Sequence, residues 1–188
     1  MKYVIISQPK AGTYLTANLL MEFNIQNSYI HVFGDKIKKW DKTRYNRQSF
    51  TEQNYIRIKN PINFITDEIP DENFVVTHVP PIYLDNIHIN NYKKILVTRP
   101  YGETVDSASR MKDVYDFSKI HIRRHRKILL WRQFPNIFEI TFNDLISKNV
   151  EKIDQLQIFL FDEIKFDSLN CIENALKADS PTKSNIRK

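Results

Sequence analysis

Glycine is scarce in this chain: three residues in 188, at positions 12, 34 and 102. That rules out a Walker A loop, which needs a glycine separated by four residues from a Gly-Lys-Ser/Thr group. Cysteine is scarcer still. Cys171 stands alone, so no internal disulfide can form. No apolar stretch approaches the ~20 residues needed to cross a bilayer. The apolar run at Tyr3–Ser7 is too short for a signal peptide, and a soluble, cytoplasmic protein is expected. Repeats and low-complexity linkers are missing. The five histidines include one helical pair, His121 and His125, but cations flank it and no Cys or carboxylate accompanies it, so no metal site is expected.

What is present begins at the N-terminus. The apolar run Tyr3-Val4-Ile5-Ile6-Ser7 leads into Gln8-Pro9-Lys10-Ala11-Gly12-Thr13-Tyr14-Leu15, and a helical pattern follows from Thr13 to Phe23. Strand, tight turn and helix in that order make an anion site. Backbone N–H groups converge there, and the helix N-terminus adds partial positive charge. Gly12 permits close approach of a phosphate, Lys10 supplies a mobile cation, and Thr13 supplies a hydroxyl.

Two more strands end in chemistry. Lys94-Ile95-Leu96-Val97-Thr98 reads as a buried strand that delivers Arg99 at its carboxyl end, and Pro100 stops it. The helix read over Gly102–Met111 carries Ser107. Ligands of parallel α/β sheets bind at the carboxyl edge, where a guanidinium fork and a hydroxyl can share one phosphate. Asn73-Phe74-Val75-Val76-Thr77 reads as another buried strand, ending in His78 before Val79-Pro80-Pro81. An imidazole at that edge suits proton transfer near neutrality.

Pro9-Lys10-Ala11-Gly12-Thr13 resembles the 5′-phosphosulfate loop of the sulfotransferases that use 3′-phosphoadenosine 5′-phosphosulfate (PAPS). Arg99 and Ser107, eight residues apart, have the spacing of that family's 3′-phosphate site, and Thr77-His78-Val79-Pro80 is similar to its Thr-His-x-Pro motif. The stretch Asn136–Leu145 looks like the family's late strand and turn. Phe142 falls where the family has an aromatic near the adenine, although a buried strand Phe is an equally good reading. The last residues, Asn185-Ile186-Arg187-Lys188, fit the family's Arg-Lys-Gly as far as Lys188; a basic, frayed end is the other reading. Two positions depart from the family pattern. Leu15 stands where the cytosolic branch often has an adenine-stacking Trp, and Val76 where it often has a Lys.

The resemblance implies an α/β fold with a P-loop-like parallel sheet flanked by helices, the three-layer sandwich of sulfotransferases and nucleotide kinases. It also implies in-line sulfuryl transfer from PAPS to an acceptor hydroxyl or amine, releasing adenosine 3′,5′-bisphosphate without a metal. His78 would be the general base. Lys10 would stabilise the leaving phosphate together with the loop residues Ala11, Gly12, Thr13 and Tyr14. Arg99, Ser107, Arg187 and Lys188 would hold the 3′-phosphate, and Phe142 would lie near the adenine.

The net charge of +6 suits an anionic cofactor. The densest basic run, His121-Ile122-Arg123-Arg124-His125-Arg126-Lys127, reads as a solvated helix face or as a contact for an acidic acceptor. Residues 34–70 are polar and weakly periodic, with Trp40, Tyr45, Phe50, Tyr55 and Phe64 scattered through them. They read as a lid and acceptor segment within a single domain covering residues 1–188. Further elements are a strand near Tyr29–Phe33, a helix near Pro81–Ile87, helices over Ser118–Phe134, Val150–Phe161 and Ser168–Lys177, and a strand over Ile137–Phe142. Asn143 and Asp144 are expected to cap the helix through Ile153. Alternating strands and helices imply a parallel sheet with helices on both faces. The acceptor is open among small molecules, lipids and glycans, with no nucleic-acid partner expected, and nothing indicates an oligomeric state. Two rivals remain. A phosphotransferase on the same scaffold would need a strand-end Asp that no strand shows. The other is a non-catalytic nucleotide- or polyanion-binding module.

Overall fold

All five side chains of Tyr3–Ser7 are buried, because this strand lies in the middle of the sheet with layers packed on both faces. The computed structural model describes residues 1–33, 36–39, 55–57, 71–78, 81, 91–110 and 117–178. In chain order its elements are β1 (Tyr3–Ser7), α1 (Thr13–Glu22), β2 (Gln26–Phe33), β3 (Lys36–Lys39), β4 (Tyr55–Arg57), β5 (Asn73–Thr77) and β6 (Lys93–Thr98). Then follow α2 (Tyr101–Ser109), α3 (Phe117–Leu129), a 3-10 turn (Leu130–Gln133), β7 (Ile137–Thr141), α4 (Phe142–Ile146), α5 (Val150–Phe161) and α6 (Ser168–Lys177).

The seven strands are ordered β4-β3-β2-β5-β1-β6-β7. The run from β2 to β7 is parallel, as expected. The β3 and β4 strands pair antiparallel at one edge, which the sequence reading did not foresee. Both fall within residues 34–70. Trp40, Tyr45, Phe50 and Phe64 lie outside the described residues, as does the expected helix after Pro81.

Alternate residues of each strand serve opposite faces. Tyr3, Ile5, Phe74, Val76, Ile95, Val97 and Ile140 join residues of α1, α5 and α6 in one core. Val4, Ile6, Val75 and Leu96 join Ile128 and Trp131 on the other face. Trp131 is fully buried, and its 3-10 turn ends α3 earlier than the expected Phe134. Buried Gln157 ties α5 to α6. Its amide donates to the Phe166 carbonyl and to Ser168 Oγ, and it accepts from the backbone N–H groups of Lys165 and Phe166.

Near the site, the strand expected over Ile137–Phe142 stops at Thr141, and Phe142 opens α4 instead. Thr141 caps that helix in a reciprocal box: Asp144 N–H donates to Thr141 Oγ1, and the Thr141 N–H and hydroxyl donate to Asp144 Oδ2. Burial pushes the Asp144 carboxyl up, but these bonds and the Asn149 amide outweigh it and hold the carboxyl below its usual range. The longer helix, α5, is capped by Asn149 and not by Asn143 or Asp144.

Candidate functional site

Register brings the candidate residues to one edge. Ile6 pairs with Thr77, Ser7 with Val97, and Thr98 with Thr141. The next residues along, His78, Gln8, Arg99 and Phe142, therefore leave the sheet together at its carboxyl edge. Chain connections diverge there as well: β1 leads past β5 to β2, whereas β6 leads the other way to β7. Such a switch point opens a crevice for ligands.

The loop after β1 is tightly wound. Ala11 N–H donates to the Gln8 carbonyl at 3.1 Å, and Lys10 and Gly12 both have left-handed backbones, with φ of 70° and 102°. Gly12 is required twice over. Its φ disfavours any side chain, and a Cβ there would lie 2.8 Å from Phe142 Cδ2. The first ladder bond of α1 runs from Thr16 N–H to the Gly12 carbonyl, and no side chain caps the helix. The N–H groups of its first turn thus have no acceptor within the helix.

Lys10 is half-buried, and burial lowers its ammonium pKa to about 8. Its Nζ makes no hydrogen bond or ion pair among the described residues. Arg99 is held on three sides. One Nη1 proton goes to the Lys10 carbonyl at 3.1 Å, Nε donates to Glu103 Oε2 at 3.1 Å, and the guanidinium stacks 4.0 Å over the Phe142 ring. Lys10, Gly12, Arg99 and Phe142 therefore form one contiguous cluster.

His78 is buried at the end of β5. Its Nδ1 lies 2.6 Å from the Ser7 carbonyl oxygen and 3.3 Å from Ser7 Oγ, and Ser7 Oγ is 2.5 Å from Thr13 Oγ1. Ala11, Thr13 and Tyr14 are buried around the loop. Ser107 is half-buried on α2 and shares no hydrogen bond with Arg99 among the described residues. Arg187 and Lys188 lie outside the described residues.

Two contributors to the site escaped the sequence reading. Gln8 is buried, and its Oε1 accepts from His125 Nδ1 at 2.5 Å. The His125 ring also meets Tyr101 edge-on at 5.7 Å. Burial, aided by the nearby Arg132, pushes the His125 pKa down. Helical periodicity held the signal. His125 and Ile128 share the inward side of α3, while Arg123, Arg126 and Lys127 are exposed on the other side. Within the basic run, Arg123, Arg126 and Lys127 are thus solvated while His125 turns inward.

Three described acids near this edge are engaged. Glu139 accepts two bonds from Arg132 and one from Thr98, Asp144 is spent on its cap, and Glu103 pairs with Arg99. The Arg132 bonds lead in holding the Glu139 carboxyl below its usual range, although burial opposes them. What remains has the chemistry to receive an anion: a lysine, a guanidinium, a helix N-terminus and a hydroxyl beside an imidazole.

No protein-family model matches the chain, and no curated protein matches it by sequence. Solved structures do match. A mouse sulfotransferase, SULT7A1, complexed with PAP superposes with a TM-score of 0.62 at 13% identity, over 99% of this chain and 69% of that one. The sulfotransferase domain from the curacin biosynthetic pathway gives 0.58 at 15%, over 98% and 86%. Retinol dehydratase, bound to androsterone and the inactive cofactor PAP, gives 0.56 at 16%, over 93% of this chain and 62% of its own length. This chain therefore spans less than two thirds of retinol dehydratase. At these identities the likeness establishes the fold: the chain has the α/β fold of the sulfotransferases. No helix among the described residues is long and apolar enough to cross a membrane.

Proposed function

We propose that this protein is a cytoplasmic sulfotransferase that moves the sulfuryl group of PAPS to a hydroxyl or amine of a small-molecule, lipid or glycan acceptor. The observation that carries the reading is Lys10. A half-buried ammonium with no partner among the described residues, set in a loop under a helix N-terminus, is a cation in want of an anion. The 5′-phosphosulfate supplies that anion. As the acceptor attacks sulfur, charge develops on the departing 5′-phosphate, and Lys10 with the loop N–H groups stabilises it.

Arg99 is already braced against the loop and the Phe142 ring, which favours it as the receptor for the 3′-phosphate, with Ser107 one helix away and Arg187 and Lys188 closing from the C-terminal end. Phe142 separates the two phosphate positions and offers its ring to the adenine. His78 acts as base. The Ser7 carbonyl can only accept, so Nδ1 carries the proton and Nε2 of the neutral ring is basic. The metal-dependent phosphotransferase is the weaker reading, because the described acids at this edge are committed to Arg132, Arg99 and a helix cap.

The test is transfer of labelled sulfate from PAPS across an acceptor panel, with release of adenosine 3′,5′-bisphosphate as a second readout. Transfer to at least one acceptor, abolished by His78→Ala, is expected. Equal thermal stabilisation by AMP and adenosine 3′,5′-bisphosphate would remove the 3′-phosphate assignment; a ligand at 100 times its Kd adds about 2.7 kcal/mol of apparent stability.

A further inference from the structure

Ser7 is fully buried, and its hydroxyl has two polar neighbours among the described residues: Thr13 Oγ1 at 2.5 Å and His78 Nδ1 at 3.3 Å. Proton counting fixes the direction at His78, and burial chooses it between the two hydroxyls. His78 Nδ1 donates to the Ser7 carbonyl, so it offers Ser7 Oγ no lone pair and can only share its proton as a longer second branch. The Ser7 hydroxyl proton is left with one acceptor, Thr13 Oγ1. Either hydroxyl could donate across this contact, but with Thr13 as donor the Ser7 proton would be sealed without an acceptor at a fully buried position. Ser7 therefore donates, and the proton of Thr13, the less buried of the two, points elsewhere. Thr13 is 4% exposed, and that proton meets no acceptor among the described residues. A buried donor left open at the first residue of α1, beside Gly12 and Lys10, calls for an anion in the loop.

We propose that Ser7 is a positioning residue carrying a one-way hydrogen-bond chain from His78 Nδ1 through Ser7 Oγ to Thr13 Oγ1. The chain aims the Thr13 proton at the anion in the loop, while Nε2 of His78 stays the basic atom of the ring. One buried hydroxyl thus serves both the cofactor side and the acceptor side of the reaction. The inference rests on the reading of the loop as a phosphate site.

Two measurements test it, and the first does not depend on that reading. Long-range nitrogen–proton NMR of the ligand-free protein should show neutral His78 protonated at Nδ1 and bare at Nε2; the opposite tautomer overturns the proposal whatever the protein binds. The second is a double-mutant cycle on affinity for adenosine 3′,5′-bisphosphate. Ser7→Ala should weaken binding about 3- to 10-fold, the scale of one neutral hydrogen bond, and should have no effect in a Thr13→Ala background. Thr13→Ser should restore both the affinity and the sensitivity to Ser7→Ala. Additive losses would show that Ser7 merely packs. If Ser7→Ala does not fold, Ser7→Cys, a weak donor of similar size, should give an intermediate loss in the same cycle. A wild-type protein that binds no adenosine 3′,5′-bisphosphate would defeat the sulfotransferase reading, and the tautomer would still decide this proposal.

Discussion

Lys10 and Lys94 sit at opposite ends of neighbouring strands, and burial lowers both ammonium groups to about 8. Their surroundings differ. Lys94 pairs with Val4 near the start of β1, and its Nζ donates to the carbonyls of Tyr92 and Pro135, both at 3.0 Å. It stitches the chain before β6 to the turn before β7. Lys10, at the other end, finds no such carbonyls. A shifted pKa alone does not separate a structural lysine from a functional one. The partners do, and on that criterion Lys10 at the carboxyl edge is the charge proposed for function.

The sharpest way to break this comparison is to remove each charge. Lys10→Ala should lower turnover about 10²–10³-fold, the usual result of losing a transition-state charge stabiliser, with no loss of melting temperature, because burial of the ammonium costs stability at neutral pH. Lys94→Ala should leave the transfer step intact and cost about 2–4 kcal/mol, because a long buried side chain is lost and two carbonyls go unpaired. Denaturant titration of both variants beside single-turnover rates checks the pair. Reversed outcomes would exchange the roles.

The loop around Lys10 gives the next largest effect. Gly12→Ala forces a side chain into a left-handed backbone and against Phe142. It should cost about 1–3 kcal/mol and weaken adenosine 3′,5′-bisphosphate binding as well. Phe142→Leu in the same chain should relieve the collision but leave the backbone cost, so stability should recover only in part. Full recovery would mean that φ at Gly12 is not strained.

A smaller effect sharpens the picture of Arg99. Glu103, near the start of α2 and four residues after Arg99, is an exposed carboxylate on the guanidinium. On the proposed assignment, an incoming 3′-phosphate would compete with it. Surface ion pairs are worth about 0.2–1 kcal/mol, so Glu103→Gln should tighten adenosine 3′,5′-bisphosphate binding about 1.5- to 5-fold and leave AMP unchanged. Equal gains for both nucleotides, measured by calorimetry, would place the 3′-phosphate away from Arg99.

The sequence-readable part of this molecule is local. A buried apolar run before Gln8-Pro9-Lys10-Ala11-Gly12-Thr13 announces strand, turn and helix, and the runs ending at Thr77 and Thr98 deliver His78 and Arg99 to one edge. Contacts between distant segments were not legible. The stacking of Arg99 on Phe142 depends on the register of β6 with β7, which no spacing within either strand specifies. The end of β7 was misread because Phe142 suits a strand as well as a helix start, and the Thr141–Asp144 capping box decided between them. The β3 and β4 strands were missed because short edge strands bury little and leave weak periodicity. His125 was read with its basic neighbours, although the 3.6-residue period turns it inward onto Gln8.

The central claim is that Lys10 waits for a phosphate. Between about pH 8 and 10.5 the unfolded chain binds more protons than the folded one at Lys10 and Lys94, so the stability of the free protein should rise with pH across that window. An anion bound beside Lys10 raises its pKa again, so binding near pH 8.5 must take up protons. Calorimetry of adenosine 3′,5′-bisphosphate binding in buffers of different ionisation enthalpy measures this uptake directly. The account predicts net uptake near pH 8.5, with affinity falling as pH rises further, and predicts that uptake disappears in Lys10→Ala but persists in Lys94→Ala. Binding without proton uptake, or uptake unchanged in Lys10→Ala, would contradict it.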